Sequence, residues 1–398
     1  MKLGILGGSF NPVHIGHLHL AYKALSVLKL DRVVFVPAYK SPFKLNGITQ
    51  HCGDDQTVIS QDNSNLPSTA NERIDLLAAA IEGDARFAID YCEIRREGVS
   101  YTIDTLEDII YRYMPEGKPV LLIGDDLAGE FTKWRDYEKI LQLADVAVAR
   151  RINAPLSDCP FPHIQIQNDI VDISSSVIRQ SGGGIEENSE FWQNNNSLKL
   201  FPKLEDDYKM IQESGIPDIE TEARKTLGVE RFLHSRNTAL AAYDLCRRFD
   251  INPITGYLAG IAHDLAKQMD NKQLLKIVKS EGYDISPLEK NRPNLLHGKA
   301  AAVLLRERFC IKDKEVLNAV AFHTSGHEDM EPLEKIIYIA DKTESTRNIE
   351  PALRKMCREA DLDTILYAVL EKTINKLKAK DLDLSEDTLK LFNKVKER

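Results

Sequence analysis

Two groups of histidines in this 398-residue chain could do chemistry on phosphate. The first lies in Gly7-Gly8-Ser9-Phe10-Asn11-Pro12-Val13-His14-Ile15-Gly16-His17, between an apolar run and a helical repeat. Gly7 and Gly8 let the backbone turn tightly and approach a ligand. A helix opening near Gly16 presents free N–H groups and a positive dipole end, which suits phosphate. His14 and His17 stand three apart at that helix start, so both can face one phosphate. No Gly-Lys-Ser/Thr follows, so this is not a Walker A loop, and the GxGxxG dinucleotide spacing is missing too. The second group is dispersed: His234, His263, Asp264, His297, His323 and Asp341, each on or at the end of a predicted helix. Imidazoles and carboxylates projecting from several helices into a bundle are how such folds build metal sites. His263 and Asp264 are adjacent, so both can ligate only near a helix distortion or across two metals. A lone histidine is more often structural, and His327, after Ser325-Gly326, reads as a solvated loop residue.

The elements that must position these groups divide the chain in two. In the first half, apolar runs alternate with amphipathic helices. Strands are predicted at 2–6, closed by Gly7-Gly8, and at 32–36, 87–94, 120–123, 146–149 and 163–166. Helices are predicted from Leu18, Ala21, Leu25 and Leu28 and over 72–81, 102–113, 137–143 and 175–180. This alternation predicts an α/β domain, a Rossmann-like doubly wound parallel sheet. Residues 46–69 and 182–196 are polar and aperiodic and read as surface insertions. Beyond Gly215, Pro217 and Asp218 only helical patterns remain, over 229–249, 255–269, 272–281, 298–309, 312–323, 333–347 and 361–377. Domains are therefore expected over 1–217 and 218–398, the second all-α.

A formal charge of −9 argues against a nucleic-acid partner. No run of about 18 apolar residues predicts a membrane span. Glycines interrupt the N-terminal apolar run, unlike a signal peptide, so a cytoplasmic chain is expected. Six scattered cysteines without a CxxC pair fit reduced thiols. A homo-oligomer stays open.

Gly7–His17 resembles the signature of the nucleotidyltransferase superfamily that carries an HxGH element. Ile173-Ser174-Ser175-Ser176-Val177-Ile178-Arg179 resembles its second signature, ISSSxxR, and no KMSKS-like segment of a synthetase is present. Ser100-Tyr101-Thr102-Ile103-Asp104-Thr105-Leu106 resembles the SYTxDTL element of nicotinate-mononucleotide adenylyltransferases, which phosphopantetheine adenylyltransferase lacks. Ile123-Gly124-Asp125-Asp126 followed by Trp134 resembles that family's IGxD…W segment. Pro37 through Ser41-Pro42-Phe43-Lys44 is similar to its PxxxxPxK loop, with Phe43 where His is usual. The resemblance implies adenylate transfer from ATP to nicotinate mononucleotide, giving deamido-NAD and pyrophosphate. It implies that His14, His17 and Arg179 are catalytic on the ATP phosphates, with Ser174 and Ser175 backing Arg179 and Mg²⁺ bridging phosphate oxygens. It places Gly8, Ser9, Phe10 and Gly124 at the nucleotide and Asp126 on ribose hydroxyls. Trp134 would stack on the nicotinate ring, Thr102 hold its carboxylate, and Lys44 reach the mononucleotide phosphate. Plainer roles stay open: surface packing for Trp134, a strand-end turn for Asp125-Asp126, a helix N-cap for the serines, and a solvated edge for Arg150 and Arg151.

The second group resembles the ligand order H…HD…H…H…D of HD-domain metal phosphohydrolases. Arg231-Phe232-Leu233-His234-Ser235, Leu296-His297-Gly298, Ala321-Phe322-His323-Thr324 and Ala340-Asp341-Lys342-Thr343-Glu344 are similar to a subfamily of symmetrical diadenosine tetraphosphatases, the YqeK-like proteins. The resemblance implies that His234, His263, Asp264, His297, His323 and Asp341 hold two transition metals, iron first and manganese second. The metals would activate a water and clamp the scissile phosphate of diadenosine tetraphosphate, releasing two ADP. Lys267 would neutralise the leaving phosphate, with Arg231 and Arg347 weaker candidates and an exposed helix lysine the plainer reading. Two alternatives remain: hydrolysis of another nucleotide such as (p)ppGpp, or a non-catalytic regulatory or dimerisation module.

Overall fold

The computed structural model describes residues 1–40, 69–150, 159–168 and 215–397. The chain divides into two compact units, Met1–Glu205 and Asp206–Arg398. In the first unit the described residues form six strands: β1 Leu3–Gly8, β2 Arg32–Pro37, β3 Phe87–Ile89, β4 Val120–Gly124, β5 Asp145–Ala149 and β6 Ile164–Ile166. All are parallel, in the order β3-β2-β1-β4-β5-β6. Every residue of β2 is buried, including Val33, Val34, Phe35 and Val36. Such β-branched and aromatic runs suit a strand covered on both faces. The order reverses between β1 and β4, where open α/β sheets bind ligands beyond the strand carboxyl ends. The doubly wound α/β expectation therefore holds for this unit, and the described part of the second unit contains helices and no strand.

The first unit's described helices are α1 Ile15–Leu28, α2 Ala70–Ala80, α3 Cys92–Arg96, α4 Thr102–Tyr113, α5 Asp125–Ala128 and α6 Tyr137–Leu143. Two strand ends differ from expectation. β1 continues through Gly7 and Gly8, which stay in register with Val36 and Pro37. β3 stops at Ile89, five residues short of the predicted end, and α3 follows. The cause is Asp90, whose Oδ1 accepts the Cys92 N–H at 2.9 Å and turns the chain. Arg112 of α4 then donates to both Asp90 oxygens, at 2.6 and 2.9 Å, inside the protein. Of the insertion expected at 46–69 only Thr69 is described, and it caps α2 by accepting the Glu72 N–H at 3.2 Å. Helix 175–180 and the segment 182–196 lie outside the described residues.

The second unit's helices are α7 Ile216–Thr226, α8 Val229–Arg248, α9 Pro253–Ala262, α10 Asn271–Ser280, α11 Pro287–Asn291, α12 His297–Phe309, α13 Lys314–Phe322, α14 Pro332–Thr343, α15 Pro351–Glu359, α16 Leu362–Ala379 and α17 Glu386–Lys396. Helices α7, α11, α15 and α17 fall outside the stretches that periodicity marks as helical. The division expected at 217/218 falls in the first turn of α7. Glu220 joins that helix to the second unit, accepting from Arg236 Nε at 2.8 Å and from the Tyr257 hydroxyl at 3.1 Å. The helix expected over 255–269 ends at Ala262 and gives way to tight turns, with Leu265 N–H donating to Ala262 O and Lys267 N–H to Asp264 O. Lys267 thus sits in a turn, not on the helix carrying His263. Helices α8 and α9 touch backbone to backbone at Gly260, where a Cβ would come within 2.5 Å of Ala239 Cα.

The Asp90–Arg112 pair sets a pH dependence. Burial pushes the Asp90 carboxyl up, but the Arg112 guanidinium outweighs it and holds the pKa below the ordinary value. Stability from this pair is present above the unfolded carboxyl's pKa of about 3.9. It is lost as pH falls through the lower folded value. Asp90→Asn removes the fully buried counter-charge and leaves Arg112 with the half-buried Asp108 carboxylate, which it meets at 2.8 and 3.0 Å. The substitution is expected to cost about 1.5–3 kcal/mol near neutral pH. Denaturant melts across pH should show the gap from wild type closing in acid; a constant gap would refute the assignment.

Candidate active sites

At the carboxyl end of β1 the chain is tied to its neighbours. Gly8 O accepts the Ala38 N–H at 2.8 Å, and Ser9 O accepts from Arg73 Nη1 at 2.6 Å. Phe10 has φ 44° and is fully buried, edge-on to Phe35 and His17, so only its backbone can meet a ligand. A Cβ on Gly8 would lie 3.1 Å from that ring. His14 ends this turn as the N-cap of α1. Its N–H donates to His17 Nδ1 at 3.2 Å, and the two imidazole centres are 3.7 Å apart. The expected pair therefore converges at the helix start beside the sheet's switch point.

The other described candidates come from neighbouring segments. Gly124 ends β4, next to β1, and caps α5. Asp125 is buried and Asp126 exposed. Thr102 opens α4 after Ser100, whose Oγ accepts the Tyr39 N–H at 3.0 Å. Half-buried Trp134 packs on Phe131, 5.1 Å between ring centres. The motifs missed Arg135, which links the last two segments: its guanidinium lies 4.2 Å from the Tyr101 ring centre and 2.5 Å from Asp104 Oδ1. Nothing in spacing alone singles it out from other surface arginines. Lys44, Arg151, Ser174, Ser175 and Arg179 lie outside the described residues.

In the second unit His234 comes from the second turn of α8, His263 and Asp264 from the end of α9, His297 from the start of α12, His323 from the end of α13 and Asp341 from α14. The break after Ala262 matters because successive residues on a regular helix diverge by about 100°. Once the chain tightens, His263 and Asp264 both turn inward, and their nearest ring nitrogen and carboxylate oxygen lie 3.6 Å apart.

The hydrogen bonds define what this cage can hold. Nδ1 of His263 lies 2.7 Å from Gly260 O, Nδ1 of His297 is 2.7 Å from Asn294 O, and Nδ1 of His323 is 2.7 Å from Val320 O. A carbonyl only accepts, so each Nδ1 carries a proton and each ring turns its Nε2 inward. Those of His297 and His323 are 3.1 Å apart, and His297 Nε2 is 3.0 Å from Asp264 Oδ1. His263 Nε2 and Asp264 Oδ1 are buried without a hydrogen bond. Burial lowers the pKa of His263 and His323, and neighbouring imidazoles press His323 further down. Extra ring protons are thus disfavoured where acceptors crowd. Burial also pushes the Asp264 and Asp341 carboxyls up. Neighbouring imidazoles and lysines, Lys267 for Asp264 and Lys342 for Asp341, outweigh it and leave both pKa values well below the carboxylate range. A cluster of lone pairs and carboxylates fits a divalent cation. His234, His263 and Asp341 form one possible ligand group, and His263, Asp264 and His323 a second, donor atoms within 4.8 Å in each.

Basic groups surround the cage. Arg231 Nη1 donates to Asp264 Oδ2 at 3.0 Å, and Lys267 Nζ sits 3.0 Å from His297 Nε2. Lys342 and Arg347 each donate to Asp341 at 3.1 Å, and Lys342 was missed at the sequence level. Its position directly after Asp341 was a usable signal. His327 is paired with buried Glu334 at 2.7 Å, outside the cage.

Gly298 sets the approach of α12 to α13. A Cβ there would lie 2.8 Å from both Val320 O and Ala321 O and 3.0 Å from His323 Nδ1. Gly298→Ala is expected to cost about 1–3 kcal/mol and to weaken divalent-metal retention. Thermal melts with metal analysis check this; full retention at wild-type stability would contradict the packing argument.

Residues 5–181 match the cytidylyltransferase-like family and residues 231–346 the HD domain. A probable nicotinate-nucleotide adenylyltransferase of Borrelia garinii subsp. bavariensis is 37% identical over 179 residues, 45% of this chain and 81% of that protein. A Mycoplasma genitalium protein, named probable nicotinate-nucleotide adenylyltransferase/Ap4A hydrolase, is 27% identical over 88% of this chain and 89% of its own length. A crystal structure from Clostridium acetobutylicum, titled a predicted HD superfamily hydrolase involved in NAD metabolism, is 33% identical, with 46% of this chain and 96% of that one covered and a TM-score of 0.44. No helix among the described residues is long and apolar enough to cross a membrane. With both matches in this order and relatives covered over four fifths of their length, the chain belongs to the nicotinate-nucleotide adenylyltransferase family and carries an HD domain.

Proposed function

We propose that the polypeptide is two enzymes in series: a nicotinate-mononucleotide adenylyltransferase ahead of α7 and a diadenosine tetraphosphate hydrolase from α7 onward. The close His14–His17 pair at the switch point supports the first reading. A phosphate oxygen of nicotinate mononucleotide attacks the α-phosphorus of ATP, and pyrophosphate leaves with the electron pair. No protein nucleophile takes part. His14 and His17 donate to the phosphate oxygens as charge grows on them. Gly8, Ser9 and the Phe10 backbone receive the nucleotide, and Gly124 and Asp126 its ribose side. Thr102 and Trp134 hold the nicotinate end. Arg179, backed by Ser174 and Ser175, takes the β- and γ-phosphates with Mg²⁺, and Lys44 the mononucleotide phosphate.

The crowding of Nε2 lone pairs against carboxylates carries the second reading. His234, His263, Asp264, His297, His323 and Asp341 would hold two metals, iron first and manganese second. When bound, such ions lower the pKa of a water and supply positive charge to a phosphate. Around them Lys267 meets the leaving phosphate, and Arg231 and Arg347 meet the rest of the chain of phosphates. Attack at the central anhydride splits diadenosine tetraphosphate into two ADP.

The two sites are built from separate residues, so each activity should fail alone. His14→Ala or His17→Ala is expected to lower adenylyltransfer kcat by about 100- to 1,000-fold while diadenosine tetraphosphate hydrolysis continues. His263→Ala should abolish hydrolysis and metal uptake and spare adenylyltransfer. Chromatography of nucleotide products should give ADP alone from diadenosine tetraphosphate. ATP plus AMP would overturn symmetrical cleavage, and inert diadenosine tetraphosphate with rapid turnover of (p)ppGpp would replace the substrate.

A further inference from the structure

We infer that Glu344 is a positioning residue of the cage, holding His234 with its proton on Nδ1 so that Nε2 is the metal donor. This rests on the metal reading above. Three of the four cage histidines sit at helix ends, and each reaches back three residues to a carbonyl. His234 cannot do so. It stands within α8, where preceding carbonyls belong to the helix's own hydrogen bonds. Its ring lies between two carboxylates from the end of α14. Asp341 Oδ1 is 3.0 Å from Nε2, on the cage side, and Glu344 Oε1 is 3.3 Å from Nδ1, on the other.

Glu344 meets the Nδ1 side of the ring, opposite the Nε2 that faces Asp341 and the cage, so it is not placed as a ligand. Yet it is only 1% exposed, and a carboxylate is not buried without compensation. Thr346 supplies it twice, the N–H donating to Oε2 and the hydroxyl to Oε1, each at 2.6 Å. Thr346 thereby fixes the Oε1 lone pair that faces His234. A carboxylate behind a ligating histidine sets the ring's tautomer and orientation and raises its basicity. Glu344 follows Asp341 by three residues, so one turn of helix end supplies both the ligand and the group that orients its neighbour.

The test is Mn²⁺ affinity of the full chain, by equilibrium dialysis with metal analysis, beside melting of the metal-free protein. Glu344→Ala should weaken Mn²⁺ binding by about 10- to 100-fold. Glu344→Gln, whose amide oxygen still accepts from Nδ1–H, should recover much of that loss. Thr346→Val, which leaves the carboxylate in place, should show a smaller loss without a fall in metal-free melting temperature. Wild-type affinity in the Ala variant, or a Gln variant as poor as Ala, overturns the proposal. If the Ala variant melts early without metal, unchanged affinity in Thr346→Val overturns it instead. A wild-type chain that binds neither Fe²⁺ nor Mn²⁺ removes the metal reading and this proposal together.

Discussion

Lone pairs do not tolerate one another at hydrogen-bond distance unless a positive charge lies among them. In the helical unit Nε2 of His297 is brought to that distance from Nε2 of His323 and from Asp264 Oδ1, and Nε2 of His234 to that distance from Asp341 Oδ1. Nε2 of His263 lies just beyond it, 3.6 Å from Asp264. Much of the unit's design serves this unfavourable convergence. Backbone carbonyls one turn back dictate three of the ring tautomers. Gly260 and Gly298 let helices approach closely enough for rings on different helices to meet. Arg231, Lys267, Lys342 and Arg347 face the carboxylates from the rim. Hydrophobic packing alone would favour none of these polar choices in a buried position.

The sheet unit meets the demands of phosphate chemistry differently. It gathers groups at the carboxyl ends of parallel strands, where loops can bring backbone amides and side chains to a ligand. The His14–His17 pair and the Gly124 turn follow adjacent strands, β1 and β4, so strand order brings their segments to one edge of the sheet. Arg135 adds a cross-link of a different kind. It joins the Trp134 segment to the start of α4 through Tyr101 and Asp104. The tie is partly exposed, and its effect is geometric more than energetic.

Much of the architecture was legible because hydrophobic periodicity is a local property. Helices over 102–113 and 137–143 coincide with α4 and α6. The failures are instructive where a side chain overrules periodicity. Phe87–Ile94 reads as one strand, yet Asp90 is drawn inside by Arg112, twenty-two residues on, and ends the strand. The helix expected over 255–269 stops at Ala262 because the following residues serve the cage. Helices α15 and α17 were passed over because their apolar residues are sparse among charges. Those few apolar residues do share one face, with Leu353 of α15 and Leu391 and Val395 of α17 buried.

By itself the sequence determined the two-part organisation, the alternation of strand and helix, and the residue types of both sites. Those are matters of composition, spacing and motif. The tertiary structure alone decided which atoms meet. It set the His14 and His17 rings 3.7 Å apart, carried Phe10 into the core, and faced Glu344 toward a histidine 110 residues away. Such contacts depend on helix crossings and chain turns fixed by packing across the whole unit, and no pattern along a single chain encodes a distance between residues so far apart.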